Sequence, residues 1–177
     1  RFLVGEIDEQ TMNEQIKPAL HRIEPDVAAA WRMYNLGVRL QAEGKMDEAA
    51  SIFEKTIEQH PSLAEAHCAL GFLRFAAADP NRAAELFQAA LKHNPSLPQA
   101  QLGRAMILAR TGNEREAEQI LLALVGHTSI AARARYELGR IYAARGESQK
   151  ALTFFQDALA LVFPEPGSRP RDGTPAH

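Results

Sequence analysis

A chain of 177 residues with a formal net charge of −2 and 24% charged residues is long enough for one domain, and this charge balance gives no electrostatic argument for a nucleic-acid partner. A single cysteine excludes an intramolecular disulfide and a zinc-ribbon framework. No apolar run reaches the roughly 18 residues that a membrane span requires, so no membrane partner is expected. No secretory signal is visible, but the first residue is Arg1 rather than Met. The chain therefore reads as a fragment, and the compartment stays open.

Residues 1–26 form an N-terminal segment of their own. RFLVG, residues 1–5, predicts a short strand. Thr11-Met12-Asn13-Glu14 has the form of a capping box, and Met12, Ile16, Leu20 and Ile23 follow at helical spacing. Pro18 should bend that helix. Glu24-Pro25-Asp26 reads as a linker, with Asp26 as the next N-cap. Eight helices are then expected over roughly 27–42, 47–59, 63–77, 81–93, 98–110, 114–125, 129–145 and 148–162. Pro98 suits the first turn of the fifth. Gly126-His127-Thr128 marks the break before the seventh, with Thr128 or Ser129 as its cap. Residues 164–177 hold four of the ten prolines and predict a disordered Pro/Gly-rich tail.

Across residues 27–163 a pattern returns every 34 positions. Leu36-Gly37, Gly44, Ala49, Phe53 and Pro61 are followed by Leu70-Gly71, Ala78, Ala83, Phe87 and Pro95. Ala105, Gly112, Ala117 and Leu121 come next, then Leu138-Gly139, Gly146, Ala151 and Phe155. Four in-phase copies without an insertion are the signature of a stacked helical array. The pattern resembles the tetratricopeptide repeat (TPR), with copies over about 30–63, 64–97, 98–131 and 132–165. The resemblance implies an all-α, right-handed helical solenoid (an α–α superhelix) of four helix–turn–helix repeats.

The family pattern assigns physical roles. Gly37, Gly71, Ala105 and Gly139 would sit where two helices cross, and Ala49, Ala83, Ala117 and Ala151 would be the small residues facing them. Phe53, Phe87, Leu121 and Phe155 would fill the space beside the crossing. Gly44, Gly112 and Gly146 would end the first helix in a left-handed conformation, while Ala78 with Asp79-Pro80 would stop it differently. The chain departs from the family at Met33, His67, Gln101 and Arg135, where Trp is frequent, and at Arg104 and Arg74, where apolar residues are usual.

In this family the first helices line a concave face. The positions carried over that read best as a protein-binding groove are Trp31, Tyr34, Val38, Phe72, Phe75, Leu102, Met106, Arg133, Tyr136 and Arg140. Most are large and apolar, as protein-binding surfaces are, and the arginines place positive charge at the C-terminal end. An extended or helical peptide with apolar anchors and at least one acidic residue would suit such a wall. Phe75 has a second reading as a core residue, because Arg74 leaves a core position to fill. The carboxylate clamp of chaperone-adaptor TPR domains is missing: the corresponding positions are Tyr34, Val38, Ala69, Gln99 and Gly103.

No enzymatic pattern appears. The six histidines form no i,i+4 metal pair, Cys68 reads as a small buried or groove residue, and Glu114, Glu116 and Glu118 read as a solvated helix face. No catalytic residue, metal or cofactor is implied. The expected function is a protein–protein interaction scaffold. Leu152, Leu159, Val162 and Phe163 should stay uncovered, which predicts self-association through this edge or a cap supplied by a partner. The N-terminal run RFLVGEIDEQTMNEQIKPAL also resembles the last strand and helix of a thioredoxin-like domain; alternatively it is a capping helix with a leader. The first reading would make the array the client-binding half of a larger thioredoxin-like redox or holdase protein.

Overall fold

A computed structural model describes residues 17–163. The strand expected over 1–5, the capping-box start of the N-terminal helix and the 164–177 tail lie outside the described residues. Those described contain eight α-helices and no strand: α1 Lys17–Ala42, α2 Met46–Gln59, α3 Ala64–Ala76, α4 Pro80–His93, α5 Pro98–Arg110, α6 Glu114–Leu124, α7 Ala131–Ala144 and α8 Ser148–Val162. They pair as four helix–turn–helix repeats, and the fold class is the all-α one expected. The chain divides into two compact units, Arg1–Pro95 with α1–α4 and Ser96–His177 with α5–α8.

In the first unit α1 pairs with α2, α3 pairs with α4, and α3 also packs on both α1 and α2. Its core joins Ala49 and Phe53 of α2 to Leu70 of α3 and Leu86 of α4, with Tyr34, Leu40, Ile57 and Leu73 against them. The helix crossings explain the glycines. A Cβ on Gly37 would lie 2.5 Å from Phe53 Cε1, and one on Gly71 would lie 2.8 Å from Phe87 Cε1. Either is closer than two carbons approach, so the ring and a side chain cannot share the crossing.

The second unit repeats this plan, with α7 packed on α5 and α6 as well as on α8. A Cβ on Gly139 would come within 2.6 Å of Phe155 Cε1. The α5–α6 crossing holds Ala105 against a second helix that carries Leu121, both fully buried. A smaller partner on one helix leaves room for a methyl group on the other.

Each repeat turns between its helices in the same way. Gly44, Gly112 and Gly146 adopt φ of 79°, 88° and 76°, and Ala78 adopts 60°. The amides of Lys45, Asp79, Asn113 and Glu147 donate to the carbonyls of Leu40, Arg74, Leu108 and Tyr142. That six-residue bond closes a Schellman-type end in all four repeats. The expectation that repeat two stops differently is thus corrected: Ala78 takes the left-handed conformation although its methyl group disfavours it. Asp79 and Pro80 instead start α4. Asp79 Oδ1 accepts from the Arg82 amide at 3.1 Å, and the proline occupies the first turn, where no N–H is needed.

Two element starts also differ from expectation. Helix α1 runs through Glu24-Pro25-Asp26, where a linker was expected. Pro25 has no N–H to offer the carbonyl four residues earlier, so the helix continues with one backbone bond fewer. Pro18 falls in the first described turn of α1. Helix α7 starts at Ala131 without a side-chain cap from Thr128 or Ser129. The His127 carbonyl accepts from the amides of Ile130 and Ala131, and Ile130 is buried at the helix start.

Candidate protein-binding surfaces

On α1, Trp31, Tyr34 and Val38 are spaced i, i+3, i+7 and share one helix face. Trp31 and Val38 are exposed. The Trp31 ring meets Tyr34 edge-on, with centroids 5.4 Å apart and planes at 85°. Tyr34 is half-buried and leans on Phe53 at 5.8 Å. Burial, and then the nearby Cys68 and Glu65, raise its phenol above the usual range, so the hydroxyl stays a proton donor. On α3, Phe72 and Phe75 are half-buried. Phe72 stands edge-to-face on the core residue Phe87 at 5.0 Å and 67°. Its ring is therefore partly structural. Arg74, read as a departure from an apolar position, pairs with Glu54 of α2.

In the second unit the expected set separates. Leu102 and Met106 are only 3% and 2% exposed, so these two belong to the core and present nothing to a ligand. Arg133, Tyr136 and Arg140 of α7 are exposed. Tyr136 rests on Phe155 at 5.6 Å, and the Arg133 guanidinium lies 5.8 Å above the Tyr136 ring. Both arginines are tied to Glu137, which is only 2% exposed. Arg133 Nε donates to one of its carboxylate oxygens at 2.9 Å, and Arg140 Nη1 donates to the other at 2.8 Å. Sequence reasoning passed over Glu137, although arginines at i−4 and i+3 of a glutamate give a readable helical spacing. Beside Arg133 and Tyr136 lies a cleft of about 460 Å³ whose other wall is Ala158, Leu159, Val162 and Phe163 of α8 and its end.

The acidic face of α6 is not simply solvated. Glu114 and Glu118 both accept from Arg145 at the C-terminal cap of α7, at 2.8 and 2.7 Å, and Glu116 pairs with Arg104. The Tyr142 hydroxyl also donates to Glu118. That bond first, and Arg145 second, hold the Glu118 carboxyl below the usual range. The Arg145 guanidinium is correspondingly held even more firmly protonated by Glu118 and then Glu114. Tyr142 stacks flat on Phe154 at 5.3 Å.

Cys68 is buried, and burial, followed by Glu65, pushes its thiol up to about 12. Such a thiol is not a nucleophile at neutral pH. Its neighbour His67 is buried and stacks on His93 of α4 with centroids 5.6 Å apart. His67 Nε2 lies 2.9 Å from the Pro61 carbonyl oxygen, so Nε2 carries the proton of the neutral ring. Its Nδ1 is buried without a hydrogen-bond partner. Burial lowers the His67 pKa, with His93 adding to the effect and the Pro61 bond opposing it. Among the described residues no three His, Cys, Asp or Glu side chains gather as metal ligands would.

The comparisons with known proteins agree with this architecture. Tetratricopeptide-repeat family models match residues 33–62, 74–128 and 115–162. No curated protein sequence matches the chain significantly. Among solved structures the fold is similar to that of pilF from Pseudomonas aeruginosa, at 24% identity and TM-score 0.66 over 80% of this chain. The match spans 65% of the pilF chain, somewhat under two thirds. MamA from Desulfovibrio magneticus RS-1 is similar at 24% identity and TM-score 0.58, with 75% of each chain covered. YrrB, described as a TPR protein with an unusual peptide-binding site, is similar at 24% identity and TM-score 0.57 over 86% of this chain and 80% of its own. At these identities the likeness is one of fold. With four in-phase repeats, glycine–phenylalanine crossings in three of them and family models matching along them, the chain belongs to the tetratricopeptide repeat family.

Proposed function

We propose that the chain binds a partner protein or peptide on the first-helix faces of its repeats. Tetratricopeptide repeats are protein–protein interaction scaffolds, and the finer assignment is to particular side chains. The observation that carries it is the edge-on Trp31–Tyr34 pair on α1, with Trp31 and Val38 exposed beside it. Tryptophan, tyrosine and arginine are the side chains in which binding energy most often concentrates. Phe72 and Phe75 belong to the same surface on α3, and Arg133, Tyr136 and Arg140 form a second one on α7. The ligand on this reading is a segment with apolar anchors and an acidic residue, acidic because of the two α7 arginines. YrrB, of similar fold, is described as having a peptide-binding site, which supports a peptide as the ligand class. The role is that of a scaffold and not of an enzyme, consistent with a thiol made unreactive by burial.

The test is capture of partners with the chain as bait, followed by affinity measurement on purified pairs. Trp31→Ala should weaken binding by about 2 kcal/mol, the scale of a hot spot. It should leave the thermal midpoint nearly unchanged, because Trp31 is exposed. A partner bound as tightly by Trp31→Ala and by Tyr136→Ala as by the wild-type chain would overturn the assignment to these faces.

A further inference from the structure

The repeats of this chain show, by their own packing, what covers the end of a repeat. In the first unit α3 lies across α1 and α2. It sets Leu70 and Leu73 in the core that Phe53, Ile57 and Tyr34 line, and its Ala66 is fully buried. It also brings Glu65 close enough to Tyr34 to act on its phenol. In the second unit α7 likewise packs on α5 and α6, and at the corresponding positions it carries Ala134, Leu138 and Ile141, all buried. The covering helix thus carries a small residue, a leucine four positions on and an aliphatic residue three further.

Among the described residues, the cleft between α7 and α8 is the same surface without that helix. It lies 102 positions, three repeats, after its counterpart in repeat one: Tyr136 stands for Tyr34, Ala158 for Thr56 and Leu159 for Ile57. Thr56 is fully buried and Ile57 is half-buried, whereas Leu159, Val162 and Phe163 are 59%, 57% and 70% exposed. Position 133 holds arginine where repeat one has Trp31. Arg133 and Arg140 share the single carboxylate of Glu137, so two positive charges meet one negative charge beside the cleft.

We infer that this cleft is a docking site for an acidic amphipathic helix of another protein, seated as α3 is seated on α1 and α2. The pattern such a helix needs is Glu-Ala-x-x-x-Leu-x-x-Leu, as at Glu65, Ala66, Leu70 and Leu73, with the glutamate facing Arg133 and Tyr136. Residues 164–177 contain no Leu, Ile, Val, Met or aromatic residue and cannot supply it. A second copy stacked head to tail would present α1. At the positions of Ala66 and Leu73 that helix carries Arg32 and Arg39, both exposed, and it has Trp31 in place of the glutamate. Two arginines brought to a cationic apolar cleft are the wrong chemistry. The inference rests on the interaction reading for α7 and extends it by naming the occupant.

The probe is a fluorescent peptide copying residues 62–79 of this chain with Cys68→Ser, titrated with the full chain and followed by anisotropy. Saturable binding with a Kd under about 100 µM is expected. Leu159→Asp in the protein should weaken it at least about tenfold, the minimum for loss of one buried apolar anchor. Val162→Glu serves if Leu159→Asp fails to fold; each replaces an exposed side chain, and circular dichroism checks the fold. Peptide Glu65→Gln should bind about threefold less well to the wild-type chain and equally well to Arg133→Gln, because the charge pair is then gone. Absence of saturable binding, or binding indifferent to Leu159→Asp and Val162→Glu, overturns the proposal. So does sedimentation showing that the chain dimerises and that Leu159→Asp abolishes the dimer, since the occupant is then a second copy. A partner weakened by Trp31→Ala alone, with no response to Leu159→Asp, overturns this proposal and leaves the α1 surface standing.

Discussion

Repeats two and three reach one architecture by different side chains. In repeat two a glycine, Gly71, faces a phenylalanine, Phe87; in repeat three an alanine, Ala105, stands with a leucine, Leu121. In repeat two the turn is made by Ala78, and in repeat three by Gly112, both at positive φ. What the helix crossing keeps is the summed volume of two residues, and what the turn keeps is a backbone conformation. Residue identity is free to vary as long as these are met.

The largest expected effect comes from emptying the crossing. Phe87 is 1% exposed, and Phe87→Ala should cost about 3–5 kcal/mol in urea unfolding. Gly71→Leu should unfold the chain at a markedly lower urea midpoint, because even a Cβ meets the Phe87 ring at 2.8 Å. The sharper test converts one repeat into the other. Gly71→Ala alone should cost about 1–3 kcal/mol. Adding Phe87→Leu should cost less than the sum of the two single changes. Strict additivity in that cycle would break the volume argument.

The turn is a smaller and opposite test. Ala78→Gly removes strain at φ 60° and should raise stability by about 0.5–1 kcal/mol, the left-handed penalty less the extra freedom of glycine when unfolded. Gly112→Ala should lower it by about as much. Equal midpoints for Ala78→Gly and the wild type would mean that the Ala78 turn is not strained.

The smallest effect separates the repeats by pH. His67 in repeat two corresponds to Gln101 in repeat three. Burial lowers the His67 pKa in the folded chain, so at pH values below about 6.5, the usual histidine value, the unfolded chain binds the proton more readily. The stability that His67 contributes is complete above that pH and is lost as the pH falls toward the folded value. Melting midpoints from pH 7.5 to 5 should fall less in His67→Gln, which keeps a donor for the Pro61 carbonyl, than in the wild type. Parallel curves would remove His67 from the pH response.

The fold was legible because a 34-residue period survives the loss of any single motif residue. The crossings were placed by the family pattern on Gly37, Gly71, Ala105 and Gly139, and three of the four hold a glycine against a phenylalanine. Ala78 was misread because sequence shows what a residue prefers and not what four shared backbone bonds impose. Pro25 read as a break, yet losing one helical bond did not end α1. The proposed binding positions come from the family pattern, and the burial of Leu102 and Met106 shows that position does not determine exposure. The links from Arg145 to Glu114 and Glu118 span 31 and 27 residues, so no local pattern announces them. Glu137 is the opposite case, visible in the spacing of one helix.

Glu137 has a kinetic and entropic consequence. Arginine side chains at a surface normally sample many rotamers, and freezing one on binding costs roughly 0.5–1.5 kcal/mol. Arg133 and Arg140 are already held, one on each oxygen of a carboxylate that is itself buried in α7. A ligand of the proposed kind would meet guanidinium groups whose motion was surrendered when the helix folded. On the proposed reading Glu137 would work as an anchor below the surface: it would take no part in contact, yet it would set how quickly and in which orientation the positive charge could be used.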